Sequence, residues 1–220
     1  MHLCLNYACI TDFDMKVHCT KILVCLTLLL ACQGVHAISP RFDVCMEWGY
    51  TQSFFGAYKY NILSSEGGRI FDNESGVLFR SNADLLAGIS IKLGRRHAIS
   101  ALGGYSGVPS RSRVMPVKIR YSYFYKDFIN DGLFSFAEGG IGFKLENDLD
   151  VLPAYMGGLG AGYRIKLSPG ANLDFLLAVK CILDKPKIPD PEGQGYVKAE
   201  NILSNIASYY GLNLSLAISF

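Results

Sequence analysis

From residue 42 onward, apolar and polar residues alternate along much of the chain, and the alternation returns in eight separate runs. Successive side chains of a strand point to opposite faces, so a period of two marks β-strands with one apolar face. The first run sets Phe42, Val44, Met46, Trp48 and Tyr50 against Asp43, Cys45, Glu47 and Gly49. The second sets Ala83, Leu85, Ala87, Ile89, Ile91 and Leu93 against Asp84, Gly88, Ser90 and Lys92. A turn at Gly94-Arg95-Arg96 leads into a weaker third run carrying Ile99, Ala101, Gly103 and Tyr105. In the fourth, Val117, Ile119, Tyr121, Tyr123 and Tyr125 alternate with Lys118, Arg120 and Ser122. The fifth reads best with Ala137, Gly139, Ile141, Phe143 and Leu145 on the apolar face and Glu138, Gly140 and Gly142 opposite. That phase puts Phe134 and Phe136 on the polar side. The sixth opposes Tyr155, Leu159, Ala161, Tyr163 and Ile165 to Gly158, Gly160, Gly162, Arg164 and Lys166. The seventh opposes Leu173, Phe175, Leu177 and Val179 to Asp174, Ala178 and Lys180. The last carries Tyr210, Leu212, Leu214, Leu216, Ile218 and Phe220 opposite Gly211, Asn213, Ser215, Ala217 and Ser219.

The pattern predicts an all-β fold of eight antiparallel strands, each of roughly 10–14 residues, longer than the five or six of a typical soluble strand. Transmembrane strands need about 9–11 residues when tilted. Short turns follow the second, fourth and sixth strands. Long connections are expected at about Phe55 to Leu78 and Leu183 to Ala207, with a short helix at Lys198 to Ile206. Short turns on one side and long loops on the other describe a barrel in an outer membrane.

Composition narrows the class. Half of the 220 residues are hydrophobic and 18% are charged, which excludes a disordered chain. Its 21 basic and 19 acidic residues nearly cancel, against a strongly basic nucleic-acid binder. The apolar run Ile22 to Cys32 is too short for a spanning helix. Preceded by Lys16 and Lys21 and followed by the small residues Val35 and Ala37, it reads as a cleavable signal peptide, with the cut after Ala37 and translation starting at Met15. The chain thus divides into a presequence, 1–37, and a barrel, 38–220. A competing reading takes Leu29-Leu30-Ala31-Cys32 as a lipoprotein box. After the cut only Cys45 and Cys181 remain, on opposite faces, so neither a disulfide nor a zinc site is expected. His97 is the one histidine left.

Alternation alone does not say whether the apolar face meets lipid or a core. Aromatics near the strand ends, small residues on the polar face and the secretion signal favour lipid. The chain resembles the small eight-stranded outer-membrane barrels of the OmpX and OmpA transmembrane-domain type, and the porin-like barrel proteins. The likeness rests chiefly on Tyr210, Leu212, Leu214, Leu216, Ile218 and Phe220, which match the terminal signal read by the outer-membrane assembly machinery. Met115-Pro116-Val117-Lys118-Ile119-Arg120-Tyr121 adds a weaker match. The resemblance implies an up-and-down transmembrane barrel in the outer membrane of a bacterium. Lipid, lipopolysaccharide and the assembly machinery would be its partners.

Candidate chemistry is confined to the polar face. If Tyr125 pairs with Leu133, Arg120 faces Glu138, with Glu47 at about the same depth; the next hairpin brings Arg164 and Lys166 beside Asp174. Opposite charges on facing positions would neutralise one another where water is scarce. The set Glu47, Arg120, Glu138, Arg164, Lys166 and Asp174 is therefore expected as an interior ion-pair network, a packed polar plug rather than an ion path. The glycine run at 157–162 lies within a strand and opens no helix, so it lacks phosphate-binding geometry. His97 is expected as a turn residue, which leaves no base for catalysis of the histidine type. Arg111 and Arg113 read as solvated loop residues, with lipopolysaccharide phosphate as the sharper alternative. The expected function is a monomeric, non-enzymatic scaffold presenting exterior loops, with no cofactor, metal or nucleic acid. The alternatives are a narrow porin-like channel and a secreted soluble barrel that binds an apolar ligand.

Overall fold

The computed structural model describes residues 42–64, 68–110, 112–128, 130–145, 153–190 and 195–220. The signal-peptide residues Met15, Lys16, Lys21, Cys32, Val35 and Ala37, and Arg111, lie outside them. Eight strands run in chain order, β1 Phe42–Leu63, β2 Arg69–Lys92, β3 His97–Gly107, β4 Arg113–Phe124, β5 Gly132–Lys144, β6 Ala154–Ser168, β7 Ala171–Asp184 and β8 Ile202–Ser219. Each pairs antiparallel with its sequence neighbours, and β1 pairs with β8 to close the barrel. Closure is sealed at the chain's end: Val44 and Phe220 exchange both backbone hydrogen bonds, at 3.0 and 2.9 Å. The β3–β4 pairing breaks off between Gly103↔Val117 and Ser106↔Val114. Pro116 lies in that gap and has no N–H to give.

The two faces separate as the alternation predicts. Outward positions on β1 run from Phe42 to Tyr50 in steps of two; on β4 they are Met115 to Tyr123, on β7 Leu173 to Leu183, and on β8 Ser208 to Ile218. Together with their counterparts on β2 (Ala83 to Ile91), β3 (Ile99 to Tyr105), β5 (Leu133 to Phe143) and β6 (Tyr155 to Ile165), they carry no charged side chain. The phase expected for the fifth strand is the observed one: Phe134 and Phe136 are buried inside, while Ile141 and Phe143 face out. Cys45 also faces the interior and Cys181 the outside, with no disulfide.

Three expectations fail. The segment from Phe55 to Leu78 is not a loop, because β1 and β2 continue as a paired hairpin up to Leu63↔Arg69. A bulge between Ser53 and Phe55 reverses the parity of β1, so Tyr58 and Ile62 turn inward where Tyr50 had faced out, and strict alternation cannot be followed across it. For the same reason Trp48 and Tyr50 lie within a 22-residue strand rather than at its end. The expected helix at 198–206 shrinks to a single 3-10 turn, Ala199–Asn201, after which β8 begins. A β-branched residue, Ile202, starts that strand, and β1 offers its edge as a partner at Ile62.

Leu214 and Val179 sit on the outer wall, 61% and 58% exposed. Leu214→Arg or Val179→Arg is expected to cost ~2–4 kcal/mol if the wall faces the middle of a bilayer. Unfolding titrations in lipid vesicles measure this, and wild-type stability for both variants would place those faces outside lipid.

Candidate functional site

The interior is the only place where chemistry-bearing side chains converge in number among the described residues, and it is arranged in tiers along the barrel axis. At the end with the short turns, Arg164 grips Asp174 with two bonds, of 2.7 and 2.6 Å. Its guanidinium lies 4.6 Å from the centre of the Phe124 ring and 5.9 Å from that of Phe128. Phe128 comes from the β4–β5 turn, which folds back to stopper this end; its amide donates to the Arg95 carbonyl at 3.2 Å. Phe124 packs against both Phe128 and Phe134, with ring centres 4.3 and 4.7 Å away. Lys92 pairs with Asp43 at 2.8 Å near the same rim.

The middle tier is built on Arg120, held between two carboxylates. It donates to Glu47 at 2.7 and 3.2 Å and to Glu138 at 3.0 and 2.5 Å. The guanidinium also lies 4.8 Å from the centre of the Phe136 ring. Lys118 approaches Glu138 at 3.6 Å from the next inward position on β4. Above, Asp84 accepts from Lys180 at 2.5 Å, Thr51 at 3.1 Å, Asn213 at 3.2 Å, and Ser106. At the far end Asp184 pairs with Lys144 at 2.8 Å and accepts from Ser110 at 2.6 Å. These ion pairs join six carboxylates to six cations, so the set carries no net charge.

The packing works because glycines oppose the large rings. Phe134 faces Gly162 and Phe136 faces Gly160 across the β5–β6 ladder. A Cβ at Gly162 would lie 2.3 Å from the Phe134 ring, and one at Gly160 would lie 2.5 Å from the Phe136 ring. The glycine run thus leaves the space that the two phenylalanine rings occupy, a form of aromatic cover over strand glycines.

Of the six residues expected in the network, Glu47, Arg120, Glu138, Arg164 and Asp174 are brought together. The Arg120↔Glu138 and Arg164↔Asp174 registers are those the hairpin arithmetic anticipates. Lys166 is not part of it. It pairs in register with Asn172 beside the turn and is exposed, and only its backbone amide is engaged, by Asp131 at 2.7 Å. Sequence reasoning missed Asp43, Lys92, Lys118, Asp84, Lys180, Lys144 and Asp184. Each faces inward by parity, but Lys180 and Asp84 stand on β7 and β2, which are not neighbours, so no single hairpin reveals the pair. His97 opens β3 on the outer face, with Nδ1 2.6 Å from the Tyr121 hydroxyl, away from the tiers. Tyr210, Leu212, Leu214, Leu216 and Ile218 all face outward on β8.

One cavity, of about 40 Å³, lies within the plug between the Arg164 and Arg120 tiers, and a cleft of about 760 Å³ opens at the far end.

No family model matches the sequence, and no curated protein does. Solved structures do resemble it. A designed transmembrane β-barrel is 13% identical, with 74% of this chain and 94% of that one aligned and a TM-score of 0.31. The outer membrane protein OprG from Pseudomonas aeruginosa is 9% identical over 80% of this chain and 95% of that one, with a TM-score of 0.44. The outer membrane protein AlkL is 12% identical over 80% and 90%, with a TM-score of 0.39. The likeness to OmpX and OmpA stays a resemblance.

Truncating Arg120 leaves Glu47 and Glu138 facing each other without their shared cation. Arg120→Ala is expected to lose ~3–5 kcal/mol, read by urea unfolding in vesicles. A Glu47→Gln, Arg120→Met, Glu138→Gln triple variant is expected to recover much of it. A single variant as stable as wild type would mean that the tier is hydrated, not buried.

Proposed function

We propose that this chain is an integral protein of a bacterial outer membrane. In this reading it is a monomeric, non-enzymatic scaffold whose interior is a plug and whose far end is presented to the outside. One observation carries the reading: the outer wall is uncharged across eight strands, while six carboxylates and six cations are turned inward. A soluble barrel has the opposite arrangement, because its outer face meets water and its interior holds the apolar ligand. In hydrocarbon, a closed ladder is one of the two ways to satisfy every backbone group, and charges survive only when they face inward and pair.

The turn end, with its compact β2–β3, β4–β5 and β6–β7 connections, the start of β1 and the end of β8, corresponds to the periplasmic side in this reading. The end bearing the β1–β2 hairpin and the 185–201 connection is extracellular. Outer-membrane lipid and lipopolysaccharide surround the wall. The β8 residues Tyr210 to Phe220 serve as the assembly signal, and Arg113 at the rim is within the headgroup zone. The tiers argue against catalysis in the lumen, since Arg120 and Asp84 are each engaged by several partners, Asp174 is held by both bonds of Arg164, and none of them faces open space large enough for a substrate.

A narrow channel is the second reading, and the two cavities on either side of the Arg120 tier favour it. Eight strands enclose a bore that side chains just fill, and here Arg120, Phe136 and Lys118 fill it.

Membrane fractionation, with gel mobility compared before and after boiling, tests the placement. Detergent-dependent extraction and a heat-dependent shift are expected. Release by salt or carbonate would sink it. Planar-bilayer recordings are expected to show no sustained conductance, and stable single-channel steps from the wild type would replace the scaffold with the channel.

A further inference from the structure

Above the barrel the sheet is lopsided. β1 is paired on both sides, to β2 as far as Leu63 and to β8 as far as Ile62. β2 pairs with β3 only from Asp84↔Ser106 downward. From Arg69 to Asn82 the second edge of β2 has no backbone partner among the described residues, an edge of ~45 Å at about 3.3 Å per residue. Unpaired edges are templates for another strand, and proteins that do not use them shorten, charge or cover them.

This edge carries charge at Arg69, Asp72, Glu74 and Arg80, and Arg80 reaches across it to donate to the Pro109 carbonyl at 2.5 Å, but among the described residues it is neither short nor covered by another backbone. The 760 Å³ cleft runs along it: consecutive residues from Asn73 to Leu78 line one side, including Gly76, which has only backbone to offer. The opposite wall carries Pro109, Pro186 and Pro189, none of which has an amide hydrogen to give to the edge. Beside the cleft, on the outer face of β2, Val77 and Phe79 are 74% and 75% exposed, the most exposed large apolar side chains among the described residues. Backbone groups without partners, a cleft beside them and two bare apolar side chains at alternate positions together describe one half of a strand-to-strand interface.

We propose that the free edge of β2 is a docking strand for an extended segment of a partner protein. The segment adds to the sheet within the cleft and carries apolar residues at alternate positions, next to Val77 and Phe79. A second copy of the chain fits less well. Two barrels in one membrane are related by an axis along the membrane normal, so their β2 strands descend in the same direction and cannot form an antiparallel isologous pair. A separate segment is free to choose its direction. The proposal rests on the reading above, in which this end faces outward, and names the kind of partner that reading leaves open.

The test pans a library of random octapeptides on the purified barrel in detergent micelles. Enriched peptides are expected to alternate apolar and polar residues. A synthetic member should slow hydrogen exchange at the amides of Asn73–Arg80 at least tenfold. N-methylation of alternate peptide amides should weaken its binding at least tenfold, and so should Val77→Lys combined with Phe79→Lys, with the heat-dependent gel shift of that variant intact. An empty or non-alternating pool, undiminished binding of the methylated peptide, or binding without protection of β2 would overturn the proposal. So would a wild-type dimer that the double lysine variant dissociates, since the edge would then belong to a second copy. The gel shift reports the membrane reading separately. Its absence in a wild type whose β2 amides are still protected by peptide would overturn the membrane placement and leave the docking strand standing.

Discussion

Everything in this molecule follows from closing a sheet of eight strands on itself. Closure pairs the strands through the wall and leaves each side chain two choices, the outside or a bore no wider than the side chains that fill it. The outside is uncharged, so most of the polar chemistry of the strands is pressed into that bore, where water is scarce and an unpaired charge costs several kcal/mol. The tiers are the solution. Arg120 satisfies two carboxylates at once, and the planar guanidinium still has faces left to lie over Phe136. A lysine, with a point charge and no flat face, could not do both.

Such pairs are weak contributors to net stability, because desolvation offsets most of their attraction. Their physical value here lies in register. Shifting β4 against β5 by two residues would keep every side chain on its own face and leave the apolar pattern content. It would also set Arg120 opposite Phe136 or Gly140, which flank Glu138 on the inner face. The glycines act in the same sense. Gly160 and Gly162 accept Phe136 and Phe134 at one register, and a side chain in either place would strike the ring. Charge and volume therefore specify what alternation leaves degenerate.

This division explains what could be read in the chain. Faces follow from parity alone, and parity is written in residues such as Ile119, Arg120 and Tyr121. Pairs across one hairpin follow from a single turn length, which is why Arg120–Glu138 and Arg164–Asp174 were accessible. Lys180–Asp84 was not, because its geometry depends on the tilt and stagger of the whole ring. Lys166 misled because parity puts it inward, whereas its position beside the turn takes it out to solvent. The β1–β2 hairpin was hidden by one bulge after Ser53. Beyond it Tyr58, Lys59, Tyr60 and Asn61 mix polar and aromatic character on both faces, so no single apolar face continues through the hairpin.

That last feature separates two energetic regimes along β1 and β2. Within the wall, a strand is held on both sides and its side chains have one assigned solvent. Above it, among the described residues, β1 keeps two neighbours while β2 keeps one, so the outer strand of the hairpin depends on β1 for its ladder. A strand in that position loses little if the chain becomes irregular, since water can satisfy the groups on its free side. Yet β2 stays regular from Arg69, with Phe79 set edge-on against Phe54 at 6.1 Å on its exposed face. Regularity maintained on an edge that has no backbone partner among the described residues keeps a row of donors and acceptors in strand geometry, so a segment that docks there has little ordering left to do on the barrel's side.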